Sequence, residues 1–215
     1  MGRFKKFKTK DYRTKFVLSI LEEKKISNFI VGVDEVGRGP LAGPVVSAAV
    51  ILPLDFDYKC LDDSKKLSKV KREKVFEILK TKSKFKLGIA EVDEIDKINI
   101  LQASLISMKR AVDQFDLPKD HKILVDGPWS FDKTNQNIIT KIKGDAKYPS
   151  IAAASIIAKV YRDQIMSKLS KNFVQYSWDT NSGYGTQKHL EAIKEHGITV
   201  HHRKSFAPIH KILSL

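Results

Sequence analysis

The chain has 215 residues, enough for one main domain, and its apolar content of 42% excludes a disordered protein. Its 39 Lys and Arg residues against 25 Asp and Glu give a net charge of +14, which indicates either a polyanionic partner such as nucleic acid or a lysine-rich solvated surface. No apolar run reaches the roughly 20 residues of a membrane span, no convincing secretory signal is present, and the single cysteine cannot form an internal disulfide, so we expect a cytoplasmic protein.

The first 28 residues are predicted to be a basic extension with one helix. Tyr12, Phe16 and Ile20 recur at every fourth position, with Val17 and Leu21 beside them, which predicts an apolar helical stripe. Four lysines lie between residues 5 and 10 ahead of this stripe. This basic tail either adds non-specific phosphate contacts or is simply solvated.

A run of apolar and small residues then predicts a strand that ends at two adjacent carboxylates, Asp34 and Glu35. Burying an unpaired carboxylate is costly, so this pair is expected to bind a metal, a cation or a substrate donor. Gly37, Arg38 and Gly39 follow, and such a turn offers backbone N–H groups and a guanidinium to anions. Neighbouring strand residues point to opposite faces, so the chain must bend for both acids to serve one site. Acids for metal beside donors for phosphate predict a site that cuts phosphodiesters.

Strands and helices alternate through the middle of the chain. The predicted strands are Phe29–Asp34, Val45–Leu52, Phe85–Val92, Ile123–Asp126 and Ile138–Ile142. The predicted helices are Lys69–Lys80, Asn99–Phe115, Ile151–Leu169 with Ser150 as its N-cap, and Thr186–His196 ended by Gly197. This order predicts an α/β domain over residues 29–169, with a mixed central sheet flanked by helices, and a small helical cap over residues 170–215.

Two further acids are candidate metal ligands. Asp126 ends the fourth predicted strand, where it is either a ligand or the first residue of an Asp-Gly turn. Asp145 lies shortly ahead of the small-residue start of a helix, and it is either a ligand or a loop aspartate paired with Lys143 or Lys147. The residues alone leave both choices open.

These segments together resemble the type 2 ribonucleases H, the ribonuclease HII family. The matching motifs are Val31–Pro44, Asp63–Ser68, Val125–Gly127, Lys143–Asp145 with Ile151–Asp163, Ser182–Thr186 and His202–Phe206, in the family's order over residues 29–208. The resemblance implies a ribonuclease H-like fold. It also implies an endonuclease that hydrolyses the RNA of RNA/DNA hybrids and cuts 5′ of single ribonucleotides in duplex DNA, leaving 3′-hydroxyl and 5′-phosphate ends.

The resemblance further implies the roles of the acids. The implied catalytic and metal ligands, for Mg²⁺ or Mn²⁺ with two ions during catalysis, are Asp34, Glu35, Asp126 and Asp145. Asp163 is the rival for the fourth position. Its place well inside a helix better suits pairing with Lys159 or Arg162.

Substrate contacts are implied in the same way. The implied substrate-binding residues are the turn of Gly37, Arg38 and Gly39 at the ribose 2′-hydroxyl, Lys65 at a backbone phosphate and Tyr184 on the neighbouring sugar. For Lys65 the alternative is a solvated side chain, and for Tyr184 a half-buried loop aromatic. Near the end of the chain we expect Thr186 to cap a helix, Phe206 to anchor the core and Arg203 to act as a salt bridge or a phosphate clamp.

The expected partners are RNA/DNA hybrid and ribonucleotide-containing duplex DNA. We expect a monomer without membrane contact, no replication-clamp docking through residues 209–215, and no zinc site among the histidines. Two alternatives remain: a non-catalytic nucleic-acid-binding module, and a resolvase- or integrase-like enzyme on the same fold. Clustered acids argue against the first, since they repel phosphate without metal, and the second does not need the Gly-Arg-Gly turn or Tyr184.

Overall fold

A computed structural model describes residues 18–61 and 67–214 of the chain. Its centre is one five-stranded sheet in the order β3-β2-β1-β4-β5. The strands are β1 (Ile30–Val36), β2 (Val45–Ile51), β3 (Lys84–Ala90), β4 (Lys122–Asp126) and β5 (Ile138–Lys141). The pairs β1–β2 and β2–β3 are antiparallel, whereas β1–β4 and β4–β5 are parallel. The mixed sheet predicted from the alternation of strands and helices is thus confirmed.

Seven helices accompany the sheet in the described part of the chain. They are α1 (Ile20–Lys24), α2 (Lys69–Lys82), α3 (Val92–Val112), α4 (Pro149–Asn172), α5 (Trp178–Asn181), α6 (Gln187–His196) and α7 (Ala207–Leu213). None of the helices among residues 18–61 and 67–214 is both long enough and apolar enough to cross a bilayer.

The two faces of the sheet are covered by different helices. Val31 and Val33 of β1 pack on one face with Met108 of α3, and Ala48 of β2 packs on the other face with Ala152 of α4. Both central strands are buried on both faces, which explains why they read as continuous apolar runs. The alternation along β1 therefore decides which of its residues face α4, the helix that borders the site.

The start of α4 differs from the prediction. The helix begins at Pro149, a residue whose fixed φ suits the first helical position, so Ser150 lies inside the first turn and is not the N-cap. The N–H and the hydroxyl of Ser150 both donate to Glu23 Oε1, at 2.8 and 2.7 Å. Glu23 of α1 is buried and takes over the capping role from a distant part of the chain.

The start of α3 also differs from the prediction. Helix α3 starts at Val92, seven residues earlier than predicted, and Asn99, the predicted start, is a break inside it with φ 67°. The Asn99 side chain accepts the N–H of Leu101 at 3.0 Å and so caps the second part of the helix. In the N-terminal stripe, Tyr12, Phe16 and Val17 lie outside the described residues, and Leu21 is exposed.

The C-terminal residues form a helical cap with its own small core. Its buried side chains include Tyr176, Trp178 and Ile193, and they pack on Leu41 and Met166 of the larger domain. Thr186 caps α6 as predicted, since its hydroxyl accepts the N–H of His189 at 3.3 Å. Phe206 is partly buried against this core, as expected of an anchor.

Candidate active site

The carboxyl ends of the parallel strands β1 and β4 meet at one edge of the sheet, and a cleft of about 260 Å³ opens there. The residues that line it are Asp34, Glu35, Val36, Gly37, Arg38, Gly39, Asp126, Ser155, Lys159 and Tyr184. Six of the predicted site residues, together with Tyr184 of the cap, thus border one space. The sheet topology brings them together, although they lie as much as 150 positions apart along the chain.

Asp34 lies at the floor of this cleft, where its side chain is only 6% exposed. It accepts the N–H of Glu35 at 2.7 Å and a hydrogen bond from the Ser155 hydroxyl of α4. Burial, followed by the negative charges of Glu35 and Asp126, raises the pKa of Asp34 well above its usual range. The charges of the three carboxylates therefore act on one another, and the ionised site favours a cation.

Glu35 has one partnered and one unpartnered oxygen. Arg38 Nη1 lies 3.3 Å from Oε1, whereas Oε2 is buried and accepts no hydrogen bond from any residue that the structure describes. Burial raises the pKa of Glu35, and Arg38 partly opposes this effect. An orphaned carboxylate oxygen is costly, and beside two other acids a hard cation would satisfy it.

Asp126 connects the cleft to the segment that carries Asp145. Asp126 Oδ1 accepts the N–H of Gly144 at 2.7 Å. Asp145 follows in a short 3₁₀ turn, Gly144–Ala146, and is 8% exposed. The hydrogen bond from Gly144 ties the turn that carries Asp145 to Asp126, but Asp145 does not itself line the cleft.

Asp163, the rival for the fourth position, has other partners. Its Oδ1 accepts from Lys159 Nζ at 2.6 Å and from the Ser182 hydroxyl at 3.3 Å. Arg72 Nη1 lies 3.9 Å from its second oxygen. These contacts agree with a structural aspartate paired with Lys159, and Asp163 is not among the cleft residues.

The acids form an open arrangement. Within residues 18–61 and 67–214, no three carboxylate, imidazole or thiol side chains stand close enough to form a ready-made metal site. The donor set suits Mg²⁺ or Mn²⁺, which take oxygen ligands and keep some of their waters.

The Gly-Arg-Gly turn and the cap face each other across the cleft. A Cβ atom added to Gly39 would lie 3.4 Å from Tyr184 Cε1, so the glycine is in van der Waals reach of the ring. Tyr184 is 48% exposed. Two hydrogen bonds from the N–H groups of Leu41 and Ala42 to Gly183 O, at 2.8 and 3.3 Å, fasten the two loops together. Lys65, the predicted phosphate contact, lies outside the described residues.

Two fully buried arginines lie beneath the turn. Arg162 donates to the carbonyl oxygens of Ala42, Pro44 and Ser182 at 2.9–3.0 Å. Arg203 donates to those of Gly37, Arg38 and Gly43 at 2.6–3.1 Å. Burial lowers the pKa of Arg162 to about 10 and that of Arg203 to about 9, so both remain charged at neutral pH.

The predicted roles of Arg203 were therefore wrong. It makes no salt bridge among the described residues, and a side chain with 0% exposure cannot clamp a phosphate. Its hydrogen bonds all go to backbone carbonyls of the loop that follows β1. The charge was evident in the sequence, but its burial is a tertiary property.

A buried histidine pair supports the loop of Tyr184 from behind. The N–H of Thr199 donates to His202 Nδ1 at 2.9 Å, so the proton of the neutral His202 ring is on Nε2. His202 Nε2 then donates to His189 Nε2 at 3.1 Å, which leaves the His189 proton on Nδ1. That proton is donated to the carbonyl oxygen of Tyr184 at 2.8 Å. The chain of hydrogen bonds requires both rings to be neutral.

This pair predicts a loss of stability in weak acid. Burial, with His189 and His201 nearby, lowers the pKa of His202 from 6.5 to about 4. The folded state therefore favours the neutral ring, and the stabilisation is present above pH 6.5 and is lost as the pH falls towards 4. Between pH 7 and 5 we expect the His202 contribution to the free energy of unfolding to fall by about 2 kcal/mol.

Urea denaturation of the wild type and of His202→Gln at the two pH values measures this contribution. Glutamine keeps a donor towards His189 but does not titrate, so the pH-dependent loss should shrink by about 2 kcal/mol in the variant. Equal losses in the two proteins would show that another group dominates the pH dependence.

The predicted site residues did not include two polar residues of the cleft. Ser155 and Lys159 of α4 line the cleft, one helical turn apart. They are polar positions spaced by four in a helix whose first eleven residues are otherwise apolar or small. That spacing could have identified the face of α4 that borders the site.

Comparisons with known proteins show the family of this chain. The family model for ribonuclease HII matches residues 31–209. A ribonuclease HII from Pelagibacter ubique is 54% identical over 184 residues, which cover 86% of this chain and 98% of that protein. A ribonuclease HII from Wolbachia pipientis subsp. Culex pipiens is 50% identical over 188 residues, covering 87% and 94%.

Solved structures show the same architecture. The ribonuclease H2 from Pyrococcus horikoshii OT3 matches with a TM-score of 0.71 at 28% identity, covering 86% of this chain and 97% of that one. Bst-RNase HIII in complex with Mn²⁺ matches with a TM-score of 0.72 at 18% identity, covering 96% and 75%, which shows a shared fold. The mixed sheet and its helices are thus a ribonuclease H-like fold, and the chain belongs to the ribonuclease HII family.

Proposed function

We propose that the cleft at the ends of β1 and β4 is the active site of this ribonuclease HII. As a member of the family, the protein cleaves RNA in RNA/DNA hybrids and at ribonucleotides embedded in DNA. We place the divalent cations of this reaction on Asp34, Glu35 and Asp126, with Asp145 as the fourth ligand. The observation that carries this assignment is the buried Glu35 Oε2, which has no partner among the described residues and lies beside two other carboxylates.

Bound to these acids, Mg²⁺ or Mn²⁺, two ions during cleavage, would activate water and offset the charge of the phosphate. The protein supplies the rest of the chemistry. Ser155 orients Asp34 through its hydroxyl, and Gly144 fixes one oxygen of Asp126, which leaves its second oxygen for a cation. Arg38 and Lys159 add positive charge at the rim of the cleft, where the phosphate backbone must approach.

Recognition of the ribonucleotide is proposed to come from the two sides of the cleft. Glycines in the Gly-Arg-Gly turn leave room for backbone groups to reach the ribose 2′-hydroxyl. Tyr184 faces this turn from the cap and presents a flat ring to the next sugar, which fits deoxyribose better than ribose. This arrangement gives cleavage on the 5′ side of the ribonucleotide, with 3′-hydroxyl and 5′-phosphate products.

A duplex DNA with one ribonucleotide tests the proposal, incubated with Mg²⁺, with Mn²⁺ and with chelator, next to an all-DNA duplex. We expect a metal-dependent nick only at the ribonucleotide and only on its 5′ side. Binding without a nick would identify a non-catalytic nucleic-acid-binding module. Cutting of the all-DNA duplex would instead indicate a resolvase- or integrase-like enzyme.

Tyr184 provides a separate prediction about the substrate. Tyr184→Ala should lower kcat/KM for the single-ribonucleotide duplex by about tenfold, because an aromatic stacking contact is worth about 1–3 kcal/mol. Tyr184→Phe keeps the ring and should stay within about twofold of wild type. Steady-state cleavage of the two variants, with thermal denaturation to check folding, measures both effects. An unchanged rate in the alanine variant would reduce Tyr184 to a packing residue of the loop.

A further inference from the structure

Arg203 fixes the direction of two peptide groups in the Gly-Arg-Gly turn. Arg203 Nη2 donates to Gly37 O at 2.6 Å, and Nη1 donates to Arg38 O at 3.1 Å. These carbonyls belong to the peptide units that join residue 37 to 38 and residue 38 to 39. The planar guanidinium therefore holds two consecutive peptide units by their oxygens.

The N–H groups of the same two units face the other way. The described chain contains no cis peptide bond, and in a trans peptide the C=O and the N–H point in opposite directions. With both oxygens turned towards the interior, the N–H groups of Arg38 and Gly39 point to the exposed side. Both residues are exposed and line the cleft, and neither N–H donates to an acceptor among residues 18–61 and 67–214.

We propose that Arg203 is a positioning residue for ribonucleotide recognition: it fixes the Gly-Arg-Gly turn so that the N–H groups of Arg38 and Gly39 are donors to the ribose 2′-oxygen. This inference rests on the proposed function, in which the turn meets the ribose. Arg203 touches neither substrate nor cation. Its effect on the reaction passes through the backbone that it holds.

The chemistry of Arg203 suits this role better than a role in packing alone. A buried cation is costly, and the hydrogen bonds of Arg203 go to backbone carbonyls, although the charge of Asp96 acts on it from farther away. A cation on the carbonyl oxygen draws electron density from the amide and makes the N–H at the other end a stronger donor. A donor set of this kind is fixed before the substrate arrives and needs no reorganisation.

Arg162 is a matched control. It is as deeply buried as Arg203, is also free of a carboxylate contact, and holds the same loop through Ala42 and Pro44. Its third acceptor is Ser182 in the cap. None of its acceptors belongs to the peptide units that present the N–H groups of Arg38 and Gly39. A lysine at either position should therefore cost stability, but only one should change recognition of the ribose.

The experiment compares the binding of two duplexes of one sequence, all-DNA and with a single ribonucleotide, in chelator so that no cleavage occurs. Wild type is expected to prefer the ribonucleotide duplex. Arg203→Lys should reduce this preference about tenfold without weakening all-DNA binding, whereas Arg162→Lys should keep the ratio of the two dissociation constants. An unchanged ratio in Arg203→Lys, or equal losses in both variants, would overturn the proposal. A wild type that nicks the ribonucleotide duplex in Mg²⁺ but shows no preference in binding would overturn the inference alone. A wild type that neither prefers this duplex nor nicks it in Mg²⁺ would contradict the proposed function itself.

If Arg203→Lys does not fold, nuclear magnetic resonance spectra of the backbone amides of the wild-type protein test the inference instead. In the protein without substrate, the Arg38 and Gly39 amide protons should exchange rapidly with solvent, although Arg203 holds the carbonyl groups of the turn. Addition of the ribonucleotide duplex should move both resonances downfield, and the all-DNA duplex should not. Amides that are protected in the free protein, or that respond equally to both duplexes, would contradict the geometry on which the inference depends.

Discussion

Asp145→Asn is expected to lower the rate of cleavage at a single ribonucleotide by about a thousandfold or more. Loss of one metal-ligand charge removes several kcal/mol of transition-state stabilisation, and about 4 kcal/mol corresponds to three orders of magnitude. Asparagine preserves the volume and one oxygen of the side chain. The circular dichroism spectrum should therefore be unchanged, and single-turnover cleavage in Mg²⁺ measures the loss.

The same substitution at Asp163 is the control for this prediction. Asp163 belongs to the same part of the chain, but its carboxylate is occupied by Lys159 and by the Ser182 hydroxyl. The Lys159 and Asp163 side chains are only 24% and 25% exposed, so losing the pair costs more stability than the roughly 1 kcal/mol at most of a surface ion pair, but it removes no metal ligand. Asp163→Asn should thus cost some stability and far less activity than Asp145→Asn. Full activity in Asp145→Asn with loss of activity in Asp163→Asn would move the fourth ligand to α4.

Much of the sheet was predictable from the sequence because its central strands are buried on both faces. The continuous apolar runs of β1 and β2 predict strands that are buried on both faces. The observed ends of both strands lie within one or two residues of the predicted ones. The parallel pairing of β1 with β4 could not be derived from either strand. It depends on how α3, between them in the chain, packs on the sheet.

Most of the predicted acids lie at strand ends, and the sheet topology brings these acids together in the cleft. Asp34 and Asp126 each end an apolar run, and parallel neighbours place such ends side by side. Asp145 belongs to a turn without a strand pattern, so only its motif identified it. Lys159 was considered as a partner for Asp163, and the structure confirms that contact.

Buried polar side chains were the part that the sequence did not reveal. Glu23 caps α4 across 127 positions, and Arg203 holds a turn 166 positions away. A charged residue usually lies at the surface, so an isolated arginine or glutamate predicts solvent or a charged partner. Only the fold shows that backbone groups are the partners. The same contacts fix the two elements that border the cleft. Glu23 holds the start of α4, and Arg203 holds the turn that follows β1.

Gly32→Ala is expected to be the most destabilising of the substitutions considered. Gly32 of β1 lies against the first turn of α4, and an added Cβ would overlap the carbonyl group of Ser150 and come within 2.5 Å of the Ile151 nitrogen. Both neighbours are backbone atoms of a buried helix, so they cannot turn aside as a side chain would. We expect a loss of about 3 kcal/mol or more in the free energy of unfolding.

This contact also links stability to catalysis, because α4 carries Ser155, which hydrogen-bonds to Asp34 two residues after Gly32 on the same face of β1. A helix pushed away from β1 would carry that hydroxyl away from the acid, so cleavage should fall together with stability.

Gly39→Ala is the control for the stability measurement. Its Cβ would lie at an ordinary 3.4 Å from Tyr184, and its free energy of unfolding should stay within about 0.5 kcal/mol of the wild-type value. Urea denaturation of the two variants decides the matter. A Gly32→Ala protein as stable as wild type would show that the first turn of α4 can yield, and the close approach of helix and strand would then not be what places Ser155 beside Asp34.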